Sequence, residues 1–176
     1  LLYFSKLPGL YTNHSARKEM ISGSDYVFTM SRYEKLRLSR DYNINFDSAD
    51  IFLPTSYKAT EPHKRSKDLI FIGDIGNPRQ NIKRLIKAVS DTGLTLTLVG
   101  SCSDTKILEH IKKCNEVNYL GYVSEEQKLK EIQKHKVFVL PAMTAGYGNG
   151  AVEAAEHRLK IIYTKYGGTS NYVNSS

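Results

Sequence analysis

No apolar run in this sequence approaches the roughly 20 residues needed to cross a bilayer, and the start has no signal-peptide layout. The opening Leu1-Leu-Tyr-Phe-Ser-Lys lacks an initiator methionine, and Asn174-Ser-Ser176 ends the chain soon after a glycine turn. The chain is therefore expected to be a segment of a longer protein, or one with missing ends. Its two cysteines, Cys102 and Cys114, offer neither metal-ligand spacing nor a disulfide framework. A reducing, cytoplasmic setting is the default. His14, His63, His110, His135 and His157 show no paired spacing for a metal, and most are expected at the surface. No Ser-His-Asp or Cys-His pattern stands out, and there is no internal repeat or low-complexity tract.

What is present is ordinary for a globular chain of this size. The 176 residues suffice for one domain with a real core and an appendage, and 40% are hydrophobic against 24% charged. The net charge of +7 is spread evenly, with 11 basic and 8 acidic residues over 1–68 and 14 and 10 over 69–176. Such a charge favours phosphate-bearing ligands or an anionic membrane surface and selects neither. The densest cluster, His63-Lys-Arg-Ser-Lys67, reads as a solvated linker. A nucleic-acid-binding protein would concentrate its Lys and Arg on one face. Scattered charge argues against that partner.

From residue 68 the pattern alternates strand and helix. Strands are expected at Asp68–Gly73, Leu94–Gly100, Val117–Gly121, Lys136–Leu140 and Lys160–Thr164. Between them, Asn81–Ser90 carries Ile82, Leu85, Ile86 and Val89 at helical spacing. Ser103 or Asp104 caps a helix through Lys113, and Ser124-Glu-Glu-Gln127 is a capping box for a helix to about Lys134. A last helix covers Gly150–His157. Strands apolar on both faces joined by helices imply a parallel, Rossmann-like sheet covered on both sides. Ligands then bind outside the carboxyl ends of the strands, where glycine at Gly73, Gly100 and Gly121 clears space. Residues 1–67 read as a remnant of a preceding domain plus a linker. They hold a helix at Ser15–Ser22, a strand at Asp25–Met30, a helix capped by Ser31 with Glu34, a strand-like run Ile51–Pro54, and a polar linker Thr55–Lys67.

The most informative stretch is Thr144-Ala-Gly-Tyr-Gly-Asn-Gly-Ala-Val-Glu153, directly after the apolar run Val137–Pro141. A strand ends, a glycine-rich turn follows, and a helix opens. Free backbone N–H groups and the positive end of a helix dipole then face an anion. Gly146, Tyr147, Gly148, Asn149, Gly150 and Ala151 form this cradle, and Glu153 lies just beyond it, able to accept from sugar hydroxyls. A plain helix cap is the simpler alternative for the turn, and a carboxylate complementing the dipole is the simpler one for Glu153. The pattern suits a ligand with phosphates and a ribose.

The order of these landmarks resembles the nucleotide-sugar-binding C-terminal domain of retaining GT-B glycosyltransferases of the group 1 (family 4) type. Those landmarks are Phe71-Ile-Gly73 with Asn81–Ile86, Leu98-Val-Gly100, Tyr119–Ser124, Val137–Pro141, Gly146-Tyr-Gly148, Val152-Glu-Ala154 and Gly167-Gly168. Asp25–Ser31 resembles the strand that closes the family's N-terminal domain. Glu153 matches the second of the family's paired acidic residues, implied to bind the donor ribose. The first falls on Ala145, with seven residues between the two positions. Where the family commonly aims an arginine and a lysine at the diphosphate, this chain has Asp74 and Gln80. Arg79, beside Gln80, is the candidate replacement. Tyr122 and Val123 stand where relatives place the nucleobase, although Tyr122 could equally be packing. Gly167-Gly168-Thr169 resembles a loop near the phosphates, or is a simple turn.

The resemblance implies transfer of a sugar from a nucleoside diphosphate sugar to a hydroxyl of a glycan, lipid or protein. Transfer would be metal-independent and would retain the anomeric configuration. No cofactor is implied beyond the donor substrate. Asp74, Gln80 and Ala145 also fit a second expectation, a degenerate module that binds a nucleotide or partner without turnover.

Overall fold

The computed structural model describes residues 14–46, 48–50, 64–143, 147–165 and 167–171, with the backbone alone at 48–50 and 171. The chain divides into two compact units, Leu1–Leu53 and Pro54–Ser176. The strand-like run expected at Ile51–Pro54 and most of the expected linker lie outside the described residues.

The first unit holds helix α1 (His14–Ser22), strand β1 (Val27–Thr29), helix α2 (Arg32–Tyr42) and strand β2 (Ser48–Asp50). The two strands pair in parallel, Val27 opposite Ser48. Ser31 caps α2 by accepting from the Glu34 N–H at 3.2 Å, while Glu34 Oε2 accepts from the Met30 N–H at 3.0 Å. The reciprocal bond thus reaches one residue further back than a capping box predicts. Asn43 ends the helix in the left-handed conformation. Buried side chains among its described residues are Thr29, Ser31 and Tyr42, two of them polar, whereas Tyr26 and Phe28 stand exposed, edge to face.

The second unit opens on β3 (Lys67–Ile72), followed by a 3-10 turn at Pro78–Gln80, α3 (Ile82–Ser90), β4 (Leu96–Val99), α4 (Thr105–Lys112), β5 (Val117–Gly121), α5 (Glu125–Lys134), β6 (His135–Leu140), α6 (Asn149–Glu156) and β7 (Lys160–Tyr163). The five strands form one all-parallel sheet in the order β5-β4-β3-β6-β7. The predicted helical face of α3 is buried at Ile82, Leu85, Ile86 and Val89. Phe71, Ile70, Leu98, Phe138 and Ile132 form the centre of the core. Each such side chain contributes about 1.5–3 kcal/mol relative to exposure. Edge strand β7 alternates between exposed and half-buried residues, as one uncovered side requires.

Three sequence expectations are corrected here. Arg65 and Lys67 are not solvated linker: the Arg65 guanidinium donates to the His157 carbonyl at 2.7 Å, and Lys67 pairs with Glu131 at 2.9 Å. Leu94 and Thr95 stay outside β4, because the Thr95 N–H and hydroxyl both donate to Asp68 Oδ2. His135 and His157 are buried rather than at the surface. His135 bridges the Glu131 carbonyl at 2.6 Å and the Thr97 hydroxyl at 2.8 Å, which places it at the turn from α5 directly into β6.

Candidate donor-binding site

Chain order along the sheet reverses at β3, with β4 on one side and β6 on the other. A crevice outside the carboxyl ends of the strands at such a point is where open α/β sheets bind ligands. The ladder continues past the strand ends. The Gly73 N–H donates to Val99 O at 3.0 Å, that of Ile75 to Ser101 O at 2.8 Å, and that of Gly100 to Gly121 O at 2.8 Å. Gly100 is the position no other residue can fill. Its φ is +135°, and a Cβ there would lie 1.9 Å from the Gly73 carbonyl oxygen. Tyr119 completes the support, donating to the Gly100 carbonyl at 3.1 Å, and burial raises its phenol pKa.

A cavity of about 260 Å³ opens on this edge. Ile72 and Gly73 line it from β3, Val99, Gly100 and Ser101 from β4, Tyr122 and Val123 from β5, and Glu125 and Lys128 from the first turn of α5. Ser124 holds that turn by accepting from the Gln127 N–H at 3.3 Å. Tyr122 is 86% exposed, so its ring is presented rather than packed.

Lys128 Nζ lies 2.7 Å from Glu125 Oε2 and 3.0 Å from Glu153 Oε2. Burial works against the ammonium, but the hydrogen bonds to Glu125 and Glu153 outweigh it and hold its pKa above the ordinary lysine value. Glu153 therefore reaches the cavity through Lys128 and is not itself part of the wall. Sequence reasoning missed Ile72, Val99, Ser101, Glu125 and Lys128. The available signal was that Ser124's capped helix begins immediately after Tyr122-Val123, so its first turn shares their edge.

The glycine-rich turn is described from Tyr147 onward; Ala145 and Gly146 lie outside the described residues. Gly148 caps α6 in the left-handed conformation, φ 83°. A Cβ on Gly150 would lie 3.0 Å from the Phe138 ring and 3.4 Å from the Ile72 carbonyl oxygen. The helix start is thereby brought against the ends of β3 and β6. The Ala151 side chain is buried, and its N–H donates to Gly148 O at 2.8 Å. That N–H is engaged within the first turn of the helix. Asn149 and Gly150 remain as first-turn donors. Tyr147 is buried and its carbonyl accepts from the Thr169 hydroxyl at 3.4 Å, so the Gly167–Thr169 loop packs on the turn.

The expected diphosphate positions lie on the connection after β3. Asp74 Oδ1 accepts from the Gly76 N–H at 3.1 Å, which occupies the carboxylate with its own loop. Arg79 is exposed, and its carbonyl accepts from the Met143 N–H at 2.8 Å, tying the turn to the segment that leaves β6. Gln80 Oε1 is buried without a hydrogen-bond partner. None of Asp74, Arg79 and Gln80 lines the cavity. Among the described residues, no group of three or more His, Cys, Asp or Glu could hold a metal ion, and no helix is long and apolar enough to cross a membrane.

The family model described as "Glycosyl transferases group 1" matches residues 66–176, more than half of the chain. The chain belongs to this family. Its fold is that of GT-B glycosyltransferases. Sucrose-phosphate synthase from Thermosynechococcus elongatus superposes with a TM-score of 0.78 at 19% identity, over 92% of this chain and 46% of that one. TarM gives 0.73 at 19%, over 92% and 34%, and HepE from Anabaena, solved with UDP-glucose, gives 0.71 at 13%, over 95% and 53%. This chain thus spans about a third to a half of these structures. No curated protein matches the sequence.

Proposed function

We propose that the second unit is the donor-binding domain of a glycosyltransferase that moves a hexosyl group from a nucleoside diphosphate sugar to a hydroxyl of a glycan, lipid or protein. The observation that carries this reading is the cavity at the reversal point of the sheet, backed by the Lys128–Glu153 pair and flanked by the start of α6. Tyr122 and Val123 receive the base, and Glu153, which stands behind the wall beside Lys128, is assigned the ribose hydroxyls. The N–H groups of Asn149 and Gly150, aided by Arg79 from the neighbouring turn, stabilise the leaving diphosphate. Anomeric retention and independence from metal follow from the resemblance. HepE was solved with UDP-glucose and a TarM variant from S. aureus with UDP, so uridine nucleotides are the first to test.

Calorimetric titration with UDP, GDP and their sugar conjugates tests the reading. Saturable binding is expected, weakened about tenfold or more in Glu153→Ala, the scale of losing hydrogen bonds to a charged group. No saturable binding by any of these nucleotides would overturn it. A second reading, a module that binds without turnover, is favoured by Asp74, whose carboxylate stands where the resemblance places a basic side chain. Sugar-transfer assays of the full-length protein, with and without EDTA, separate the two, and NMR of the product anomer reports retention.

A further inference from the structure

Among the described residues, Lys128 is the one cation on the cavity wall. A lysine beside a nucleotide site invites assignment as a phosphate ligand. The geometry argues otherwise. Its ammonium is already held by two carboxylates at 2.7 and 3.0 Å, and the trio Glu125–Lys128–Glu153 carries a formal charge of −1. A diphosphate brought to it would meet net repulsion, whereas neutral hydroxyls would meet a carboxylate acceptor. The side chains of Lys128 and Glu153 are only 13% and 16% exposed, against 68% for Glu125. Glu153 is therefore the withdrawn member, and Lys128 is the cation beside it. Lys128 takes Glu153 Oε2, and Oε1 has no hydrogen bond among the described residues. A carboxylate with one oxygen fixed by a cation is limited in its torsions, so its second oxygen has a defined place.

We infer that Lys128 is a positioning residue that sets ribose selectivity: clamped by Glu125 on its own helix, it fixes Glu153 so that the second carboxylate oxygen receives the vicinal hydroxyls of a ribonucleoside diphosphate. This rests on the donor-site reading above and adds to it the group that makes the site discriminate ribose from 2′-deoxyribose. A site built to accept from a hydroxyl rejects the analogue lacking it only while its acceptor is charged and held in place.

The test is calorimetry of the 176-residue chain with UDP and 2′-deoxy-UDP, and with the matching guanosine pair, for wild type, Lys128→Met, Lys128→Arg and Glu125→Gln. Wild type is expected to prefer the ribonucleotide about tenfold, Lys128→Met to bring the two within about twofold, and Lys128→Arg to keep most of the preference. Glu125→Gln alters an exposed side chain and keeps the test open should Lys128→Met not fold; it is expected to fall between wild type and Lys128→Met. Equal weakening of ribo and deoxy forms by Lys128→Met, with the preference intact, would make Lys128 a phosphate ligand and overturn the inference. A preference untouched in both Lys128→Met and Glu125→Gln would overturn it as well. Failure of wild type to bind any of the four nucleotides would instead overturn the donor-site reading, and the inference with it.

Discussion

Helix α5 carries a charge cluster at each end, and the two are inversions of one another. At its start one lysine, Lys128, lies between two glutamates, Glu125 and Glu153. At its end one glutamate, Glu131, lies between two lysines, Lys67 at 2.9 Å and Lys134 at 2.7 Å. The first cluster borders a cavity on the carboxyl edge of the sheet. The second sits on the amino edge among side chains that satisfy one another: His135 on Thr97, and Asp68 on Lys136 and Thr95. Burial raises the Glu131 pKa, but hydrogen bonds from Lys134 and Lys67 more than reverse this and hold the carboxyl below its ordinary value. Similar chemistry therefore serves opposite ends. Where neighbours close the space, the charges hold strand to helix; where glycines keep it open, they border a cavity.

Changes that collapse this distinction should have the largest effects. Gly100→Ala forces a Cβ to within 1.9 Å of the Gly73 carbonyl oxygen at a φ of +135°. Overpacking and backbone strain together should cost about 3 kcal/mol or more in urea unfolding and abolish nucleotide binding. Next in size is Glu131→Gln on the closed edge. It leaves two half-exposed lysines that water can solvate, so a loss of about 1–3 kcal/mol is expected, with nucleotide affinity unchanged in the same protein. A matching fall in affinity would show that the two ends of α5 are coupled.

The smallest effect is a pH dependence confined to the closed edge. Burial pushes the His135 imidazole below its ordinary pKa of 6.5, against the pull of the Glu131 carbonyl. Above that value the ring is neutral in both the folded and unfolded chains. As pH falls below it, the unfolded chain takes up the proton first, so stability declines until the depressed folded-state pKa is passed. Asp68 and Glu131, both held low by their lysines, extend the same loss further into acid. Denaturant midpoints measured from pH 7 to 5 should fall in the wild type and flatten in His135→Gln. An unchanged slope would assign the acid limb elsewhere.

Much of the fold was legible because its signals are local. The Ile82–Val89 spacing, the Ser31 and Ser124 caps and the apolar strand runs each act within one element, and β5 and α5 fall where they were read. The errors lie where distant residues compete for a group. Thr95 is drawn from β4 by Asp68, and Lys67 is drawn from a linker by Glu131. Arg65 is held by a carbonyl far along the chain, and a histidine that composition places at the surface is buried because Thr97 and the end of α5 supply both its partners. In the site, Gly73, Tyr122 and Val123 could be placed on the ligand edge because each follows a strand end. Lys128 could not, since it reads as one more charge on a polar helix until Glu153 is brought 3.0 Å away.

The sequence by itself determined the alternation of strand and helix, the glycines at the strand ends and the family, because periodicity, capping and motif order are written in neighbouring residues. Only the tertiary structure decided that β3 lies between β4 and β6, that the α6 turn meets the end of β3, and that Lys128 bridges Glu125 and Glu153. Those outcomes depend on which distant surfaces pack together. A crossover's apolar face says that it must cover the sheet; the packing of all the elements at once says where.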